Sequence, residues 1–202
     1  RRRAVRAELG VDDDTMLIGT VGRLVAEKGY PELLDAVASL ASDRYALVVV
    51  GDTDPDKPDA LATAVITRAR EQGVRFLGHR DDVDALYSAM DVFVLASHRE
   101  GFPRAAMEAA AMGLPIVATD VRGCRQVVED GRNGLLVPVR DPAALTRAIL
   151  RLGDDPERRA RMATESITMA RERFDERQVV AKVLECYLAI AARKGRDHLA
   201  VT

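Results

Sequence analysis

The chain has 202 residues, 48% hydrophobic and 31% charged, with a net charge of −2; this supports one sizeable domain and excludes a bulk electrostatic case for nucleic acid or an acidic membrane surface, so any anion site has to be local. Its two cysteines, Cys124 and Cys186, have neither metal-ligand spacing nor a disulfide framework, which fits a reducing, cytoplasmic setting. No apolar run approaches the ~20 residues of a membrane helix, and no apolar stretch follows Arg1-Arg2-Arg3-Ala4 to make a signal peptide.

Along the chain, Met16–Leu24 predicts a strand and Tyr30–Ser42 a helix with Leu33, Leu34, Val37 and Leu40 on one side. Tyr45–Val50 is a continuous apolar run, the pattern of a strand buried on both faces. A loop rich in Asp and Pro, 51–58, leads to a helix over Leu61–Gln72, a short strand over Val74–Leu77 and a helix over Val83–Met90. Val92–Ala96 is the next strand. Pro103–Met112 is a helix stopped by Gly113, with Pro115 beyond it. Strands over Pro115–Ala118 and Leu135–Val137 flank a short helix, Arg122–Glu129, and segments 143–152, 156–173 and 175–193 are helical. Alternating βα units of this length predict an α/β fold: a doubly wound parallel sheet of about six strands, helices on both faces and a helical C-terminal tail.

In such a sheet, ligands bind beyond the carboxyl ends of the strands. The unusual residues cluster there: Gly22-Arg23, Gly51-Asp52, Gly78-His79-Arg80, Ser97 to Arg104, and Thr119-Asp120. Lys28 stands at the start of a helix, where a cation opposes the helix dipole and costs roughly 0.3–1 kcal/mol; a bound diphosphate reverses that sign. Arg23 offers a planar donor fork and Lys28 a mobile point charge, a suitable pair for two phosphates. The alternative is two solvated surface cations. Pro103 suits a first helical position, and the amides of Arg104, Ala105 and Ala106 after it are open donors for phosphate or sugar oxygens.

Glu100 and Glu108 bracket this segment, one in the loop and one about a turn and a half into the helix. A carboxylate accepts two hydrogen bonds from a vicinal diol, so acids flanking a phosphate-holding helix start suit a nucleotide sugar. Of the three histidines, His79 and His98 fall in the site loops and read as supporting groups, and His198 falls in the polar tail. No His, Asp or Cys spacing makes a metal site or a triad.

The series Gly22-Arg23…Lys28-Gly29, Ser97-x-x-Glu100-Gly101-Phe102-Pro103…Glu108-Ala109, Gly113-Leu114-Pro115-Ile116-Val117-Ala118-Thr119 and Gly131-x-Asn133-Gly134-Leu135-Leu136-Val137-Pro138 resembles the donor-binding half of the retaining glycosyltransferases of family 4, which have the GT-B fold. The match runs from about Leu17 to Leu152. The resemblance implies the Rossmann-like C-terminal half of that fold as one domain, 1–202, with a core over about 15–152 and C-terminal helices over about 153–193. It implies that Gly22, Arg23 and Lys28 hold the diphosphate. By the same resemblance Glu100 would be the catalytic acid facing the donor sugar, with Ser97, Gly101, Phe102, Pro103 and Arg104 around sugar and phosphate, Glu108 would hold the ribose and Arg80 would border the base. It implies no cofactor and no metal, a UDP-sugar donor, and a glycan or lipid-linked acceptor bound by an N-terminal domain that this chain lacks. The full enzyme would then work in the cytoplasm or peripherally at the inner face of the membrane, with its oligomeric state open, while this chain alone binds nucleotide weakly and transfers nothing. Ala105-Ala106 departs from the larger aliphatics that the family often carries there.

A dinucleotide-dependent oxidoreductase needs GxGxxG beyond a strand, whereas Gly19-Thr20-Val21-Gly22 lies inside one. A non-catalytic nucleotide-sugar-binding module and a GT-B sugar-nucleotide epimerase remain as alternatives. The stripe Val179, Val180, Val183, Leu184, Tyr187 and Leu188 lies at helical spacing; it is either left exposed for the missing domain or a partner, or folded onto its own domain.

Overall fold

The computed structural model describes residues 1–40, 42–54 and 56–193, and of Gln178, Val179 and Arg193 the backbone alone. His198 lies outside these residues. Six strands form one parallel sheet in the order β3-β2-β1-β4-β5-β6. They are β1 (Met16–Val21), β2 (Tyr45–Val50), β3 (Arg75–Phe76), β4 (Val92–Leu95), β5 (Ile116–Thr119) and β6 (Gly134–Val137). The α-helices among the described residues are α1 (Arg2–Glu8), α2 (Tyr30–Ala38), α3 (Thr63–Glu71), α4 (Val83–Ala89), α5 (Arg104–Ala111), α6 (Pro142–Gly153), α7 (Pro156–Arg173) and α8 (Glu176–Arg193). This is the Rossmann-like, doubly wound arrangement read from the sequence.

The strands are buried on both faces, and their period of two divides the core. Ile18, Leu47, Val49, Val92, Val94 and Val117 meet Leu33 of α2 and Leu145 and Ile149 of α6. Leu17, Val48, Val50, Phe93, Leu95 and Ile116 meet Leu86 of α4 and Ala106, Ala109 and Ala110 of α5. The alanines of α5 let that helix lie close to the sheet. Gly19 has a packing role inside β1: a Cβ there would sit 2.0 Å from the Met90 sulfur.

Several elements differ from the sequence expectation. The first strand stops at Val21, and the segment expected as a helix over 122–129 holds only a 3-10 turn, Cys124–Gln126. Pro103 is the residue before α5, not its first helical residue. Helix α1 was not read at all. It contributes Val5 to the core, and its Arg6, 1% exposed, donates to the carbonyls of Asp12, Thr15 and Ala89 and to Asp91. Asp91 in turn accepts from the Leu17 amide at 2.7 Å, which pins the amino end of the sheet.

Helix α7 joins the body of the domain through buried Met162, Ser166, Met169 and Ala170. Helix α8 does not bury its apolar stripe: Val180, Val183, Leu184, Tyr187, Leu188 and Ile190 are all exposed. Of the two expectations for this helix, the exposed face is the one observed.

Candidate nucleotide-sugar site

The strand order reverses between β1 and β4, and the carboxyl ends of those two strands bound the crevice where open α/β sheets take ligands. Two glycines set the closeness of the loops. Gly29, at φ 71°, lies against the Ala96 carbonyl, and a Cβ there would sit 2.0 Å from that oxygen. Gly123 lies against the Glu100 backbone, where a Cβ would be 2.4 Å from the carbonyl oxygen. The turn after β1 and the turn after β5 therefore both press on the β4–α5 loop.

At that junction Lys28 Nζ donates to Glu100 Oε1 at 2.7 Å, and Ser97 Oγ donates to the same oxygen at 2.7 Å. The Glu100 side chain is only 9% exposed and that of Lys28 28%. The counter-charge removes the dipole penalty of a cation at a helix start. Ser97 is itself buried, and its carbonyl accepts from Thr119 Oγ1 on β5. His98 supports the same loop: its Nε2 is 2.9 Å from Glu32 Oε1 on α2, and its amide donates to the Glu27 carbonyl at 2.8 Å.

The start of α5 has no side-chain cap. The amides of Ala106 and Met107 donate to the Pro103 carbonyl, both at 3.1 Å. Ala106 therefore does not offer the open donor expected of it; the open amides are those of Arg104 and Ala105. Gly101 and Phe102 are exposed beside them, and the Phe102 ring packs edge-on to Phe174 at 6.2 Å.

Gly22, Arg23 and Arg80 line a neighbouring cleft of about 440 Å³ with Gly51, Asp52 and His79. Arg23 is exposed and 3.4 Å from Asp54. Tyr30, buried in α2, donates to the Gly22 carbonyl at 2.9 Å and fixes that turn; burial holds its phenol well above the ordinary range. Arg80 is already engaged, by Asp82 at 2.7 Å and Glu8 at 2.8 Å. The Arg80 guanidinium holds the Asp82 carboxyl below its usual range. The His79 amide donates to Asp52 Oδ1 at 3.0 Å.

Arg104 and Glu108 lie further along α5 and line a groove of about 470 Å³ against α7 and the start of α8. Glu108 Oε2 accepts from the Tyr87 phenol at 3.0 Å. Lys28, Ser97 and Glu100 thus form one contact cluster. Gly22, Arg23 and Arg80 line a separate cleft, and Arg104 and Glu108 line the groove between α5 and α7, so the candidate residues fall into three groups. Sequence reasoning missed Tyr30 and Tyr87, which look like ordinary core positions and whose signal is a hydroxyl among apolar residues; Thr119 stood among the strand-end residues, but its bond to the Ser97 carbonyl was not foreseen. Among the described residues no group of three or more His, Cys, Asp or Glu is placed to hold a metal, and no helix is long and apolar enough to cross a membrane.

The fold is that of the Rossmann-like C-terminal half of GT-B glycosyltransferases. The chain belongs to the family "Glycosyl transferases group 1", whose profile matches residues 1–169. It is 36% identical over 200 residues to a D-inositol 3-phosphate glycosyltransferase of Corynebacterium glutamicum, covering 95% of this chain and 48% of that protein. It is 35% identical over 159 residues to the lipopolysaccharide core biosynthesis glycosyltransferase LpsE of Rhizobium meliloti, covering 78% and 45%. The chain spans about half the length of the curated relatives it matches. Among solved structures it is similar to Anabaena HepE in complex with UDP, with a TM-score of 0.86 at 30% identity over 93% of this chain and 52% of that one. HepE has also been solved with UDP-glucose. The sucrose-phosphate synthase of Thermosynechococcus elongatus matches with a TM-score of 0.85 at 29% identity, over 95% and 49%.

Proposed function

We propose that this chain holds the nucleotide-diphosphate sugar donor of a glycosyltransferase that passes the glycosyl group, with retention at the anomeric carbon, to a glycan or lipid-linked acceptor. One observation carries the reading: the Lys28–Glu100 pair at the β1/β4 switch point, beside the uncapped start of α5. A cation and two open amides there meet a diphosphate, and an acid on the same loop meets the sugar attached to it.

As the bond from the anomeric carbon to the diphosphate oxygen breaks, charge builds on the leaving oxygen. Arg23, Lys28 and the amides of Arg104 and Ala105 stabilise it as preorganised donors. Glu100 Oε1 is held by Ser97 and Lys28, which leaves its other oxygen to accept from sugar hydroxyls and sit against the positive charge that develops at the anomeric centre. Glu108 receives the ribose diol. UDP is the preferred nucleotide in this reading, supported by the UDP complexes of HepE. The acceptor is bound by a second domain, which also excludes water from the reaction; the 202-residue chain by itself binds nucleotide weakly and transfers nothing.

The test is product analysis on the intact two-domain protein supplied with UDP-sugars and candidate acceptors. An α-configured product from an α-configured donor is expected. An inverted product contradicts retention, an epimerised sugar nucleotide favours the epimerase alternative, and binding without turnover favours a non-catalytic module.

A further inference from the structure

We infer that Tyr87, on α4, is a positioning residue that holds the Glu108 carboxylate in place for a ribose diol and so sets the preference of the site for ribonucleotides over 2′-deoxyribonucleotides. The inference rests on the donor-site reading, in which Glu108 receives the ribose. Glu108 sits on an exposed position of α5. A glutamate there has several rotatable bonds, and fixing them on ligand binding costs entropy.

Tyr87 removes that freedom in advance. It is 2% exposed, and its ring is locked edge-on against Phe93 at 5.9 Å. Its phenol oxygen lies 3.0 Å from Glu108 Oε2 and 3.2 Å from the Ala105 carbonyl. A phenol has one proton to give, and the ionised carboxylate at the shorter distance takes it as the charge-assisted bond. Burial, followed by the charge and hydrogen bond of Glu108, pushes the phenol far above its ordinary pKa, so it stays a donor across the working pH range. The phenol takes one lone pair of Oε2, and the carboxylate's remaining acceptor sites can serve a ligand. Without Tyr87 the carboxylate is free to swing toward Arg104, one turn earlier on the same helix face and lining the same groove.

A carboxylate held this way takes both hydroxyls of a ribose. A 2′-deoxyribose offers only one, and a site built to hydrogen-bond a hydroxyl discriminates against the analogue that lacks it. The experiment is calorimetric titration of the intact protein with whichever of UDP, GDP and ADP binds most tightly, and with its 2′-deoxy form. It compares the unaltered protein with Tyr87→Phe, Tyr87→Met and Glu108→Gln.

The unaltered protein is expected to favour the ribose form about tenfold. Tyr87→Phe, which keeps the ring contacts, is expected to weaken the ribose form about three- to tenfold and the deoxy form, which keeps one hydroxyl on Glu108, by less, narrowing the ratio. Tyr87→Met, which fills the space without a donor, is expected to give the same narrowed ratio. A ratio unchanged in both Tyr87 variants but collapsed in Glu108→Gln overturns the inference and leaves the donor-site reading standing. A ratio that no variant changes removes Glu108 from the ribose and overturns both.

Discussion

The Lys28 ammonium and the Glu100 carboxylate, 72 positions apart in the chain, meet at 2.7 Å and join the turn after β1 to the loop after β4. The pair is asymmetric, because Glu100 is 9% exposed and Lys28 is 28% exposed. Removing the cation strands the more buried charge, which keeps only Ser97. Neutralising the acid strands a cation that water can reach. Lys28→Ala is therefore expected to lower unfolding stability by about 1–2 kcal/mol, and Glu100→Gln, which retains the Ser97 bond, by less. Urea denaturation of the two variants measures the difference; equal losses contradict the asymmetry.

Gly123 supports the same acid through backbone contact alone. A Cβ would meet the Glu100 carbonyl oxygen at 2.4 Å and its carbonyl carbon at 2.6 Å, and backbone on both sides has little room to give. Gly123→Ala is expected to displace Glu100 from Lys28 and to cut kcat in the intact enzyme by about tenfold or more. Nucleotide affinity, which rests on other groups, should fall less than threefold. Parallel losses in both would place the damage in the whole domain rather than at the acid.

Much of the fold could be read from residue pattern because its strands are bounded apolar runs. Tyr45–Val50 matches β2 at both ends, since six residues buried on alternating sides are followed at once by Gly51-Asp52. Helix α1 escaped detection because its stability is tertiary. Its sequence carries arginine at three of seven positions and little apolar pattern, and the carbonyls and carboxylate that receive Arg6 are set by packing up to 85 residues away. The expected helix over 122–129 shrank to one 3-10 turn in the segment where Gly123 lies against Glu100, a contact invisible in local pattern. At the site, the residue types and the strand-end placement were legible. The bonding was not: that Arg80 is held by Glu8 and Asp82, or that Tyr87 bonds Glu108, depends on partners that no spacing rule connects.

The two cysteines should behave differently. Cys124 is fully buried beside Thr119, and burial pushes its thiol up to about 12, whereas Cys186 is exposed on α8. At pH 8 a maleimide or iodoacetamide should modify Cys186 within minutes and leave Cys124 unmodified until the protein is unfolded. Linkage follows the same sign. A thiol raised from 9.0 to about 12 in the folded state contributes stability that is present below pH 9 and lost as pH rises toward 12. Peptide mass spectrometry after native labelling tests the first point, and urea midpoints for the unaltered protein and Cys124→Ala between pH 8 and 11 test the second. Rapid native labelling of Cys124 contradicts its placement.

In the proposed function a diphosphate is gripped between the β1–α2 turn and the start of α5. Calorimetric titration of UDP, GDP and ADP into the intact protein, repeated on Arg23→Ala and Lys28→Ala, is the decisive experiment. Saturable binding of one of the three nucleoside diphosphates, UDP first, is expected, weakened about tenfold or more by either substitution. Negligible heat with all three, or binding that neither substitution alters, contradicts it.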